Sequence, residues 1–286
     1  MKSFCIKTNN KKIINYLLKN LETFSLENIY FINKQFKNFE NVIIHYLGDT
    51  PKIFISLLAD LLTNCIITFF EQNILKQIIN FNYFYFDEFE KKIILENCYK
   101  YISSGEEPSL KYRKEEIFTP VLSYIMENKS VILDGFVTFR LETYHKTLED
   151  IVDYSVNQYV VEKEYVEFIN LLKMYINSKE PQSSLIHLVY HNQESILLDE
   201  HKNIIALDDS LFDAKYLSDI SFSSNDYALN ALLTLLPKKI EIHLIGYEDE
   251  FINTLKLIFG SRIFICSDCN ICRTYKILNN VNTDAH

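Results

Sequence analysis

The chain has no tryptophan, four arginines (Arg113, Arg140, Arg262 and Arg273), and only five glycines and five prolines in 286 residues. Such sparse backbone punctuation, in a chain rich in aromatics, excludes a disordered protein. It also excludes phosphate cradles built from glycine. Neither G-x-G-x-x-G nor G-x-x-x-x-G-K-[ST] occurs, and Gly246, placed behind an apolar run, stands alone. There is thus no nucleotide motif. G-x-S-x-G and H-E-x-x-H are missing as well, so no hydrolase elbow and no zincin helix is present. The scarcity of Arg beside abundant Ile, Asn, Lys, Phe and Tyr is the bias of an AT-rich genome.

Basic charge is also in short supply. The net charge is −9, and the deficit lies toward the end: residues 181–286 carry 8 basic against 14 acidic side chains, whereas residues 1–110 balance at 12 and 12. An acidic third of this kind repels phosphate backbones, whose binding needs accumulated Lys and Arg contacts. Nucleic acid is therefore not an expected partner. MKSFCIKTNNKK at the start lacks the apolar core of a secretory signal. A cytoplasmic location is expected, with the six cysteines as reduced thiols or metal ligands rather than a disulfide framework.

What the chain does have is 21 Phe, 19 Tyr and 48% hydrophobic residues, enough to bury a large core. The most apolar stretch, residues 53–70, is about as long as a membrane span. Asp60, Thr63 and Asn64 interrupt it, and an unpaired carboxylate at a bilayer centre costs at least ~2.5–3.5 kcal/mol. The stretch is read as a buried helix, with no membrane span.

Periodicity sets the organisation. Residues 3–7 alternate as a strand, and residues 11–24 place Ile14, Leu17, Leu18 and Leu21 at helical spacing. Residues 29–36 and 41–47 read as strands. Thr50 is the expected N-cap of the next helix, with Pro51 at its first position. Helical spacing then continues to about residue 103, except at residues 80–86, whose FNYFYF is expected to be too aromatic to stay exposed. Residues 103–108 form a loop and residues 115–128 a helix. Residues 131–140, around Asp134-Gly135, are either a turn between short strands or a helix entry. Residues 141–179 are helical, with a bend expected at Glu162-Lys163-Glu164, and Pro181 ends them.

After Pro181 the period changes from 3.6 to 2. Residues 185–191, 195–199 and 203–207 read as three short strands. Ser223 and Asp226 form a capping box for a helix over 226–236. Strand 239–245, helix 248–259 and strand 261–266 then make a βαβ unit with parallel strands. The fold class is α/β in the mixed α+β sense: a helix-rich N-terminal and middle region, then a C-terminal α/β domain. The expected segments are 1–108, 109–181 and 182–286.

Cys266, Cys269 and Cys272 form C-x2-C-x2-C at the end of the last strand of that unit. A C-x2-C turn lets two thiolates converge on one soft metal, and a third cysteine three residues on can close toward the same ion. The carboxyl ends of strands are where open α/β sheets gather ligands. Arg273 and Lys276 nearby favour thiolate. His243, on the partner strand, is the first candidate for a fourth ligand, then His187. Zinc is the expected metal. An iron–sulfur cluster or redox-active thiols are the alternatives. His187 and His191 are four apart, but on a strand that separation is ~13 Å, too far for one ion. Asp199, Glu200, Asp208, Asp209 and Asp213 lack the order of a calcium loop and read as strand-end turn chemistry.

Three segments carry a family likeness: DGFVTFRL (residues 134–141), VEKEYVEF (residues 161–168) and FSSNDYALNALLTLLPKKIEIH (residues 222–243), followed by CSDCNIC. Together, over roughly residues 100–275, they resemble the YtxC-like family of sporulation-linked proteins of endospore-forming bacteria. The resemblance implies a role linked to sporulation and a closing cysteine run that is a family feature. It implies no reaction, cofactor or catalytic residue. The expected function is a cytoplasmic, non-enzymatic, sporulation-associated factor with a cysteine-bound metal. The rivals are a thiol- or metal-dependent enzyme or redox sensor using the cysteines, and a scaffold that binds an unspecified protein partner through aromatic side chains such as those of residues 81–86.

Overall fold

The computed structural model describes residues 2–36, 39–105, 109–205 and 223–283. They form ten helices and two mixed four-stranded sheets, an α+β fold. The chain divides into two compact units, Met1–Glu162 and Lys163–His286.

The first unit is built on a sheet of order β2-β3-β1-β4. β1 (Lys2–Thr8) runs antiparallel to β3 (Phe39–Tyr46), β3 antiparallel to β2 (Ile29–Phe36), and β1 parallel to β4 (Ser130–Ile132). Alternation on β1 turns Phe4 and Ile6 into the core, where they join Val42 and Ile44 of β3. α1 (Lys11–Glu22) is capped by Asn10, whose side chain accepts from the Lys12 N–H, and it buries Ile13, Ile14, Leu17 and Leu21. α2 (Pro51–Phe69) has Pro51 in its first turn, but Thr50 does not cap it. The Thr50 hydroxyl is taken by Tyr46 Oη at 2.6 Å instead. Among the described residues α2 alone is long and apolar enough to cross a membrane, and 44% of its apolar window is buried in the fold. Phe54, Leu58, Leu62 and Ile66 face the core, while Asp60 is exposed.

α3 (Glu71–Asn82), α4 (Glu88–Ser103) and α5 (Leu110–Glu127) follow, with Asp87 and Glu90 forming a capping box for α4. The aromatic run from the last turn of α3 to the start of α4 departs from expectation: Phe81, Phe84 and Tyr85 are 84%, 73% and 64% exposed. Only Tyr83 and Phe86 are half-buried; the Tyr83 hydroxyl donates to Asp153 at 2.7 Å and Phe86 packs edge-on against Tyr159. A tight turn aims successive side chains in different directions, so two anchored rings leave the others outside. Asp134-Gly135 proves to be a helix entry: β4 is followed directly by α6 (Leu133–Arg140). α7 (Glu142–Ser178) is one continuous 37-residue helix, without the expected break at Glu162-Lys163-Glu164. Glu and Lys are strong helix formers that need no burial, so a polar stretch alone does not interrupt a helix.

Under this core lies a buried polar trio. Oε2 of Glu71 accepts from Arg113 Nε at 3.1 Å and from the Tyr144 hydroxyl at 2.8 Å, joining α3, α5 and α7. Arg113 is 2% exposed, and its charge is matched by the carboxylate.

The second unit has a sheet of order β6-β5-β7-β8. β5 (Ser183–His191) pairs antiparallel with β6 (Glu194–Leu198) and parallel with β7 (Pro237–Leu244), and β7 pairs parallel with β8 (Ile263–Ile265). The β5–β6 hairpin turns on Asn192 and Gln193, both at positive φ (47° and 65°), the two-residue geometry whose twist suits a hairpin. α8 (Ser224–Leu235) starts at Ser223 with the expected capping box to Asp226, and α9 (Glu250–Phe259) is capped by Asp249. Ile186, Leu188, Leu232, Ile240, Ile242, Ile252 and Leu255 form its core. The third strand expected over 203–207 is reduced, within the described residues, to a single bridge between Leu198 and Ile204; residues 206 and 207 lie outside them. α10 (Asn270–Thr283) closes the described chain.

Candidate metal centre

His243 is seated near the carboxyl end of β7, where the flanking Ile240 and Ile242 are fully buried. β8 lies alongside, and the Cys266 N–H extends that pairing by one more bond, to the Ile242 carbonyl at 2.9 Å. The chain then turns through Ser267 and Asp268 into α10. The Cys269 carbonyl accepts the first helical bond, from the Arg273 N–H at 3.0 Å, so Cys269 stands at the helix start and Cys272 in its first turn. Free N–H groups and the positive end of the helix dipole at this position stabilise thiolate.

The four side chains expected as ligands come together. Ligand atoms of His243, Cys266, Cys269 and Cys272 all lie within 4.8 Å of one another, a group that could hold a metal ion. The Cys272 sulfur is 3.8 Å from those of both Cys269 and Cys266, and His243 Nδ1 is 3.4 Å from the sulfurs of Cys269 and Cys272. Tetrahedral zinc with Zn–S near 2.3 Å and Zn–N near 2.0–2.1 Å separates its ligand atoms by about 3.8 Å (S to S) and about 3.5 Å (S to N). His243 and Cys272 are buried at 1% and 2% exposure; Cys266 and Cys269 are half-buried.

Electrostatics within the group differ from the expectation in one respect. Arg273 is engaged by Asp268, whose Oδ2 accepts from Nε and Nη2 at 3.0 Å each, so its charge is matched by a carboxylate. Lys276 is exposed. The helix start acts in their place. Burial pushes the Cys269 thiol up, but the backbone N–H groups of Cys272 and Ile271 and the neighbouring thiols outweigh it and bring the group below its ordinary value. Cys266 is pushed up to about 12 by burial and by the two adjacent sulfurs. Burial, then the nearby His187, hold His243 below the usual imidazole range, which keeps a nitrogen lone pair available.

His187, the second candidate for the fourth ligand, sits behind His243 and not beside the sulfurs: its Nδ1 is 3.0 Å from His243 Nε2. Glu241 completes a second group with these two histidines, its Oε2 3.6 Å from His187 Nδ1. Sequence reading passed over Glu241, although it stands two residues before His243 on the same face of β7 and pairs directly with His187 across β5. His191 lies at the far end of β5, opposite Glu194. Of the acidic residues, Asp199 serves its turn, accepting from the N–H groups of His201 and Asn203 at 2.8 Å each, and Glu200 bonds Ser184. Asp208, Asp209 and Asp213 lie outside the described residues. All six cysteines are free thiols, with Cys65 and Cys98 buried in the first unit.

The model of the YtxC-like family matches residues 56–264, so His243 lies inside the match and Cys266 just beyond it. The uncharacterized protein YtxC of Bacillus subtilis (strain 168) is 25% identical over 193 residues, which is 65% of this chain and 68% of that relative. No solved structure matches. With the match spanning well over half its length, the chain belongs to the YtxC-like family.

Proposed function

We propose that the second unit holds one zinc ion on Cys266, Cys269, Cys272 and His243, and that this ion is structural, tying α10 to the edge of the sheet. The observation that carries the reading is the spacing of the four ligand atoms, 3.4 to 3.8 Å for the measured pairs, which suits one shared tetrahedral ion. In a four-iron cluster each thiolate holds its own iron, so the sulfurs stand farther apart. Four protein donors also leave no open position, which separates structural from catalytic zinc. A non-enzymatic, cytoplasmic factor linked to sporulation is the wider reading, supported by membership of the family and the absence of a nucleotide or hydrolase motif. Nucleic acid is not among its proposed partners. The scaffold reading has an observation of its own in the exposed rings of Phe81, Phe84 and Tyr85.

Elemental analysis and an absorption spectrum of protein purified without air test the proposal. A colourless protein with one zinc per chain supports it. A brown protein supports a cluster, and a metal-free protein with reactive thiols supports redox work.

A further inference from the structure

Because His243 meets the sulfurs through Nδ1, its other nitrogen must be accounted for. Nε2 points at a ring buried to 6% exposure, that of His187 on the neighbouring strand, at 3.0 Å. We infer that His187 is the positioning residue of this centre: its Nδ1 accepts the Nε2–H of His243, fixing the tautomer in which His243 Nδ1 carries a lone pair toward the thiols. The inference rests on the proposed metal site.

Geometry sets this against a second ion shared by His187, Glu241 and His243. A separation of 3.0 Å falls at the mode for a nitrogen hydrogen bond. Two imidazole nitrogens sharing a tetrahedral zinc at 2.0–2.1 Å stand about 3.4 Å apart. Glu241 Oε2, at 3.6 Å, is beyond hydrogen-bond reach of the same Nδ1, so that carboxylate does not hold a proton on this nitrogen and the lone pair is left for the Nε2–H of His243. Burial raises the stakes. His243 is 1% exposed, and an Nε2–H without an acceptor there would lose its hydration with nothing in return. The ring would then be drawn to the tautomer protonated on Nδ1, which cannot bind a metal through that atom. Metal-binding histidines are commonly oriented through the second nitrogen in this way, and loss of the orienting group costs about 10–100-fold in metal affinity.

The test uses the full chain, with zinc affinity measured against a competing chelator and histidine tautomers read by 15N NMR. His187→Leu is expected to weaken zinc by about 10–100-fold. His187→Gln, whose amide oxygen can accept from Nε2–H, is expected to restore most of the affinity, and Glu241→Gln to leave it unchanged. The wild-type spectrum should show His243 protonated on Nε2, with or without metal, so that this arm reads out even where a variant fails to fold. Unchanged affinity in His187→Leu, or a proton on His243 Nδ1, overturns the inference. So do two ions per chain with one lost in both His187→Leu and Glu241→Gln, for those residues would then be ligands. A wild-type protein that binds no zinc fails the site reading itself, while the tautomer still decides the role of His187.

Discussion

Cys272 Sγ lies 3.4 Å from Nδ1 of His243, a residue 29 positions earlier in the chain. The contact joins the first turn of α10 to β7, and these elements have no other shared core beyond the Cys272 side chain itself among the buried residues of α10 whose side chains are described. A metal at this point would add a second tie between α10 and β7 beside that buried side chain.

Cys269→Ser should therefore release the metal, with a loss of affinity larger than the roughly 10–100-fold that second-sphere changes cost. Hydrogen exchange should rise in α10 and β8. The helices of the first unit, up to residue 162, should keep their protection, because the core of that unit is a separate cluster. Metal content and exchange mass spectrometry on the same samples read both effects.

The contrast between what was legible in the sequence and what was not follows the range of the interactions. The cysteine spacing, the capping box at Ser223 and Asp226, and the period-2 strands around His187 and His243 are local signals, and each recurs in the structure. The Glu71–Arg113–Tyr144 trio spans up to 73 residues and leaves no local trace. FNYFYF misled because composition reports how apolar a segment is and not which way a turn aims its side chains. Glu162-Lys163-Glu164 misled because a polar stretch reads the same in a bend and on an exposed helix. Glu241 was hidden for a third reason: its partner His187 belongs to another strand.

Arg113→Met should cost about 3–5 kcal/mol in urea unfolding, since it strands the buried Glu71 carboxylate. Tyr144→Phe removes only one of the two donors to that carboxylate and should cost about 1–3 kcal/mol. Equal, negligible losses in both variants would show that the trio contributes nothing to the stability of the first unit.

Phe84→Ser, at a ring 73% exposed, should change stability by no more than about 0.5 kcal/mol. Leu58→Ala, in the fully buried face of α2, should cost about 2–5 kcal/mol. A large loss in Phe84→Ser would mean that the ring is covered in solution.

Zinc binding should release protons. Cys266, with its thiol pushed up to about 12, is protonated at neutral pH before metal arrives and must lose that proton to bind as thiolate. Since protons appear on the product side, apparent zinc affinity should rise as pH rises from 6 toward 8. Calorimetry in two buffers of different ionisation enthalpy counts the protons. An affinity flat across that range would argue against thiolate ligation by Cys266.

The most direct test of the account is X-ray absorption at the zinc edge on protein purified without air. The account predicts a first shell of three sulfurs at about 2.3 Å and one nitrogen at about 2.0–2.1 Å. A shell of oxygen and nitrogen alone, or iron in place of zinc with iron–iron scattering, would contradict it.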